Sequence, residues 1–328
     1  MKKISKAAVS GAAAAAAAGL ISAAGRGMFE ILVHRKRRSS SPDIYFSKLS
    51  HVRVNHPRVQ YKEEYEKGRA WCNAQTMEDW NIHSSDGLLL HASFLPAEDA
   101  RRFVLLSHGY KGNAFSEFAG IARFLHEQGC SLLFIDQRCC GQSEGEYITF
   151  GAKEQEDIRR WCDTLSGRNP GRLPIYLYGE SMGASAVLMA SGGPLSEEVK
   201  GIIADCGFKS MKSQIRDLAG KWFHLPRVEL LLLRMSLRCR RRGGFRMSEA
   251  DTAAAMAVNE RPVLFFHGAE DTYVYPKNSI DNYKRCRAKK ELVIVPGARH
   301  LCSAYADPGL YRKKLLAFFE KYDSMRVL

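Results

Sequence analysis

Two stretches of this 328-residue chain hold a serine at the spacing Gly-x-Ser-x-Gly. One is Gly179-Glu180-Ser181-Met182-Gly183, the other Gly141-Gln142-Ser143-Glu144-Gly145. Such a pentapeptide carries a nucleophile when a strand runs into it and a helix leaves it, because the sharp turn lifts the hydroxyl clear of the backbone. Ser181 has both neighbours, the apolar run Ile175-Tyr176-Leu177-Tyr178 before it and the helical pattern Ala184–Ala190 after it. Glycines on either side permit the tight turn, and a helix start favours negative charge developing there. Ser143 follows Asp136–Cys140 rather than a strand, and Tyr147-Ile148-Thr149 follows with no helical pattern. Ser181 is the candidate nucleophile; Ser143 reads as a turn serine.

A serine hydroxyl is a weak nucleophile at neutral pH, so it needs a base, and the base needs an orienting acid. Both are expected downstream, acid first, each in a loop after a late strand. Asp271 lies in His267-Gly268-Ala269-Glu270-Asp271, after the run Val263–Phe266. His300 ends Pro296-Gly297-Ala298-Arg299-His300, after the run Leu292–Val295. Glu270 is the rival acid. His267 reads as a structural turn residue, His83, His91 and His126 as edge or surface positions, and His224 as part of a basic insert. An oxyanion forming at Ser181 would meet the backbone N–H groups of Met182 and of Tyr110, the latter following Ser107-His108-Gly109. The Tyr110 side chain is either incidental or part of an acyl pocket.

These groups need a frame. Short apolar runs at Leu88–Leu95, Phe103–Leu106, Ser131–Ile135, Ile175–Tyr178, Gly201–Ala204, Val263–Phe266 and Leu292–Val295 alternate with helical patterns. The helical stretches are Glu117–Glu127, Glu154–Leu165, Gly183–Ala190, Ile280–Cys286 and Leu310–Tyr322. The alternation predicts an α/β fold with a mostly parallel central sheet and helices on both faces. Functional groups in such sheets collect at the carboxyl ends of the strands. Residues 41–77 read as a helical lead-in and 78–328 as the catalytic domain. A short helical cap is expected as an insert at about 208–258.

The composition, 45% hydrophobic and 26% charged, excludes disordered, collagenous and multi-span membrane chains. Nine cysteines without a C-x-x-C pair indicate neither a disulfide framework nor a zinc ribbon, and free thiols suit a reducing compartment. The net charge of +14 is concentrated: nine Lys/Arg against two acids in residues 1–50, and eleven against four in 201–250. Two separate basic segments do not form the continuous surface with interleaved aromatics that nucleic acid requires. They suit a membrane surface or an anionic substrate.

Lys2, Lys3 and Lys6 precede an uncharged run from Ala7 to Gly25, and a basic cluster follows at Arg35–Arg38. About nineteen residues just span a bilayer, so residues 1–40 are expected to be an N-terminal membrane anchor with a basic flank. A cleaved signal peptide, giving a secreted protein, is one alternative, and an unanchored Ala-rich helix is the other. Charge on both sides leaves the orientation open.

Six segments in chain order resemble the α/β-hydrolase superfamily over about residues 78–322. They are Ser107-His108-Gly109-Tyr110, Asp136-Gln137-Arg138 with Gly141 and Ser143, Gly179–Gly183, Asp205-Cys206-Gly207-Phe208, His267-Gly268 with Asp271, and Pro296-Gly297-Ala298 with His300. The chain looks most like bacterial membrane-anchored serine hydrolases of the serine aminopeptidase-like and monoacylglycerol-lipase-like branch. The resemblance implies an α/β-hydrolase fold, a Ser181–Asp271–His300 triad, acyl-enzyme chemistry and no metal or organic cofactor. Cys139-Cys140 and Tyr275 depart from the family pattern, away from the triad but where loop shape and substrate fit are set. The expected activity is hydrolysis of carboxylic esters with an acyl or lipid-like part. The alternatives are a peptidase or amidase on the same triad, and a non-catalytic binding module at the membrane. In the cap, Leu230–Leu233 beside Arg238-Cys239-Arg240-Arg241-Arg242 would cover an acyl pocket and face anionic headgroups, or pack as an ordinary amphipathic helix.

Overall fold

The computed structural model describes residues 19, 22–35, 57–223 and 228–324. The alanine run, Lys36–Arg38, residues 41–56 and His224 lie outside the described residues. Eight strands form one sheet in the order β1-β2-β4-β3-β5-β6-β7-β8. They are β1 (Glu78–His83), β2 (Leu89–Leu95), β3 (Arg102–Ser107), β4 (Cys130–Ile135), β5 (Ile175–Glu180), β6 (Val199–Asp205), β7 (Val263–Gly268) and β8 (Lys290–Val295). Strand β2 runs antiparallel to both its neighbours, β1 and β4; β3 to β8 are parallel to one another.

The helices used below are α1 (22–32), α2 (Lys62–Asn73), α3 (Glu154–Gly167), α4 (Met182–Ala190), α5 (Met211–Phe223), α6 (Val228–Arg238), α7 (Lys277–Arg285) and α8 (Pro308–Tyr322). They cover both faces of the sheet, giving one apolar cluster with Trp161, Leu177 and Phe265 and another with Phe118, Tyr178 and Tyr311. This is the architecture that buried β3, β4, β5 and β7 demand, since every residue of those strands is shielded from solvent. Helix α4 is apolar all round and buried at all nine residues. It packs against α3 and the sheet, so it needs no polar face.

Two elements differ from expectation. Strand β1 has no apolar run because it is an edge: Trp80 alone is buried, while Glu78, Asp79, Asn81 and His83 face solvent. The single helix expected over Glu117–Glu127 is broken into Ala114–Glu117, a tight turn at Phe118–Gly120 and Ala122–Glu127. The break lets Glu117 reach back to the Gly109 N–H and lets the Tyr305 ring press on Gly120, where an added Cβ would come within 2.6 Å of it. All nine cysteines are buried and unpaired. Among the described residues, no helix is long and apolar enough to cross a membrane.

Register decides where the loops emerge. Ser107 pairs with Gly179, Glu180 with Asp205, and Gly268 with Val295, so the carboxyl ends of β3, β5, β6, β7 and β8 finish on one rim. The four loops named from the sequence all leave from that rim.

Candidate active site

Strand β5 runs directly into Ser181, which adopts φ 53° and ψ −115° before α4 begins at Met182. A non-glycine residue there is strained and is held only when its surroundings over-determine it. The surroundings are backbone. A Cβ on Gly179 would lie 2.3 Å from the Gly183 carbonyl carbon, and one on Gly183 would lie 1.9 Å from the Ser107 carbonyl oxygen. Helix α4 therefore seats on the end of β3 only because both glycines are bare, and the turn lifts Ser181 to the rim.

His300 Nε2 lies 3.1 Å from Ser181 Oγ, and His300 Nδ1 lies 2.6 Å from Asp271 Oδ2. A carboxylate at Nδ1 fixes the proton on that nitrogen and leaves Nε2 as the acceptor facing the serine hydroxyl. Asp271 Oδ1 accepts the N–H groups of Tyr273 and Val274, at 2.8 and 2.9 Å. Burial opposes its charge, but His300 and His267, with the hydrogen bonds they donate, hold the carboxyl well below the usual carboxylate range. His267 is buried at the end of β7, hydrogen-bonded to the Ser279 hydroxyl and the Val274 carbonyl, and touches Asp271 Oδ2 at 3.3 Å. Glu270, the rival acid, points to solvent.

The Gly109–Tyr110 loop closes on the serine from β3. A Cβ on Gly109 would stand 3.1 Å from Ser181 Cβ, and the Gly109 N–H is taken by Glu117. The Met182 N–H is the first of α4 and has no intrahelical acceptor by position. Met182 thus follows Ser181 directly, and the Gly109–Tyr110 loop passes beside it. The loop is fixed from behind: the Gln137 amide donates to the His108 carbonyl, and the Gln137 N–H to His108 Nε2 at 3.2 Å. Arg138 is buried in ion pairs with Asp157 and Asp86. The motif containing these residues is structural support.

An apolar pocket opens on Ser181, lined by Leu32, Tyr110, Phe150, Met182, Phe208 and Ile215 among others. Gln214 ties α5 to the acid loop by donating to the Tyr273 carbonyl, at 2.8 Å. Cys206, Asp271 and His300 each place one potential metal-ligand atom within 4.8 Å of the others. Burial, with Asp205 and Asp271 nearby, pushes the Cys206 thiol well above its ordinary value.

Ser143 is spent on structure. Its hydroxyl donates to the Asp136 carbonyl at 2.6 Å and accepts the His91 N–H at 2.9 Å. The expectation for His91 needs correction: it is buried, not an edge or surface histidine. Its ring lies between Asp136 and Asp79, 2.9 Å from each, because β2 is flanked by β1 on one side and β4 on the other.

Two contributors had no readable signal. Arg58, in the lead-in before α2, is 4% exposed and donates to the Leu301, Ser116 and Glu117 carbonyls and to Glu180 Oε2. One guanidinium thereby links the loop after His300, the Glu117 turn and the serine turn. Leu32, in the segment expected to flank an anchor, stands in the pocket wall.

Comparison with known proteins agrees with this architecture. Residues 98–253 match the family model described as serine aminopeptidase, S33. The chain is similar to the uncharacterized protein YqkD of Bacillus subtilis, 28% identical over 239 residues, covering 73% of this chain and 78% of that protein. Its fold is similar to the Pyrococcus furiosus esterase Pf2001, with a TM-score of 0.61 at 18% identity over 76% of this chain and 92% of the other. It is also similar to the Pyrococcus horikoshii acylaminoacyl peptidase, with a TM-score of 0.58 at 16% identity over 80% of this chain and 44% of the other. The chain has the α/β-hydrolase fold and is similar to the serine aminopeptidase S33 family over residues 98–253.

Proposed function

We propose that the protein hydrolyses carboxylic esters with an acyl or lipid-like part, through a covalent acyl-enzyme on Ser181. The observation that carries this reading is the line of hydrogen bonds from Ser181 Oγ through the His300 ring to Asp271. Ser181 Oγ bonds to the ester carbonyl carbon while its proton passes to His300 Nε2. Asp271 steadies the imidazolium so formed. The N–H groups of Met182 and Tyr110 hold the oxyanion; one such donor is typically worth about 2.7–4 kcal/mol in the transition state. Collapse breaks the bond to the leaving alkoxide, which takes the proton from His300. Water then gives a proton to His300 and its oxygen to the acyl carbon; breaking the bond to Ser181, whose oxygen takes that proton back from His300, releases the acid. The apolar pocket beside Ser181 suits the acyl part.

The same groups would cleave amides, and the match to a serine aminopeptidase model favours a peptidase or amidase as the second reading. A panel of p-nitrophenyl esters against amino-acid p-nitroanilides separates the two. The ester reading expects turnover of the esters with anilides at least about a hundredfold slower. Faster anilide cleavage would overturn it.

We further place the protein at a membrane, held by its N-terminal segment. Leu230, Leu233 and Leu237 of α6 are 38%, 55% and 39% exposed, at a spacing that puts them on one helix face. Arg238, Arg240, Arg241 and Arg242 follow, the charge that attracts anionic headgroups. Flotation with phosphatidylserine-containing vesicles, weakened in Leu233→Glu, is the expected result. Full-length protein left behind by both anionic and neutral vesicles would refute it.

A further inference from the structure

The last turn of α1 lies against the mouth of the pocket, for reasons visible in its backbone. A helix end leaves its final carbonyls without intrahelical partners. Here the Leu32 carbonyl accepts from the Tyr110 hydroxyl at 2.9 Å. The Ile31 carbonyl accepts from the Lys111 ammonium at 2.8 Å and, at 3.3 Å, from the same Tyr110 hydroxyl. A cation there also suits the negative end of the helix. Burial pushes the Tyr110 phenol above its ordinary value, so its hydroxyl stays a donor. Beyond the helix, the Ile148 N–H donates to the Val33 carbonyl at 2.9 Å, and the Arg35 N–H to the Glu146 carbonyl at 2.7 Å. Between them, His34 forms an antiparallel bridge with Tyr147.

Side chains anchor the same stretch. Phe29 and Val33 are buried, at 1% and 0% exposure, in the cluster that contains Met182, Phe150 and Phe208. Leu32 faces the pocket on Ser181, whose free volume is about 30 Å³, room for roughly one or two water molecules. Tyr110 therefore has two attachments: its backbone belongs to the loop that passes beside the nucleophile, and its hydroxyl is tied to residues 31 and 32.

We propose that residues 29–35 are a specificity strap, in which Leu32 limits the acyl length the pocket accepts while the Ile31 and Leu32 carbonyls, through the Tyr110 hydroxyl, position the oxyanion loop. The proposal rests on the ester-hydrolase reading. A longer acyl chain would have to occupy space that Leu32 fills. Methylene-sized changes in an apolar pocket shift selectivity by about 10–200-fold.

The test measures kcat/KM for full-length variants on p-nitrophenyl acetate, butyrate and octanoate. Leu32→Ala is expected to raise the octanoate-to-butyrate ratio about tenfold, and Leu32→Trp to lower the butyrate-to-acetate ratio by a similar factor. Tyr110→Phe keeps the backbone N–H and removes the tie, so kcat should fall about fivefold on all three esters with KM nearly unchanged. Folded, active Leu32→Ala protein whose ratio stays within about twofold of the parent overturns the strap. Should Leu32→Ala not fold, an unmoved ratio in Leu32→Trp does the same. A parent that cleaves no ester removes the hydrolase reading and the strap together, whereas an active parent with unmoved ratios removes the strap alone.

Discussion

The two Gly-x-Ser-x-Gly stretches share a pattern and end in opposite physical states. Around Ser181 the glycines are forced by backbone passing within 2.3 Å of where a Cβ would sit, and the serine takes a strained φ of 53° with its hydroxyl facing an imidazole. Around Ser143 the hydroxyl donates to one backbone carbonyl and accepts one backbone N–H, so it closes a turn. Gly141 is needed there because a Cβ would collide with the Asp136 carboxylate. The pattern marks a tight turn in both cases. Whether the turn presents the hydroxyl to an imidazole depends on the elements either side: a strand and a buried helix at Ser181, two loop segments at Ser143.

The comparison can be broken at several points. The largest effect is expected at the acid of the Ser181 site. Asp271→Asn keeps the shape but loses the charge that fixes the His300 tautomer, so kcat on a p-nitrophenyl ester should fall about 10⁴-fold in a folded protein. Next is the support behind the serine turn. Arg58→Met leaves Glu180 buried beside Asp205 without its guanidinium, and denaturant unfolding should show a loss of about 3–5 kcal/mol. At the other turn, Ser143→Ala removes the acceptor for the buried His91 N–H. It should cost about 1–3 kcal/mol of stability while kcat stays within about threefold of the parent.

The smallest effect sharpens the contrast through pH. Burial opposes protonation of His91, but hydrogen bonds and charge from Asp136 and Asp79 outweigh it and raise its pKa. A raised folded value means the ion pair stabilises fully below the unfolded value of about 6.5 and fades as pH rises through the folded one. The stability advantage of the parent over His91→Gln should therefore be larger near pH 5.5 than near pH 9, measured by denaturant unfolding at both.

Much of the frame was legible because parallel strands buried on both faces leave continuous apolar runs, and all seven of those runs are strands. Ser181, Asp271, His300, Tyr110 and Met182 were readable because each follows such a strand at a fixed point of the chain. Strand β1 was not readable, since an edge strand needs a single inward residue, Trp80, and otherwise looks like loop. His91 was misplaced because its partners Asp136 and Asp79 are 45 and 12 residues away in sequence. Arg58 and Leu32 gave no signal for a similar reason. Their roles come from contacts as distant as Leu301, 243 residues on, and Tyr110, which touches the neighbouring Leu32 carbonyl 78 residues on. Local pattern carries strands and turns; it does not carry which distant loops one guanidinium will join.

The most direct measurement of the central claim is labelling of the folded full-length chain by an active-site-directed fluorophosphonate, read by intact mass. One adduct is expected on the parent and on Ser143→Ala, and none on Ser181→Ala. An adduct that persists on Ser181→Ala, or a folded parent that takes none, would contradict it.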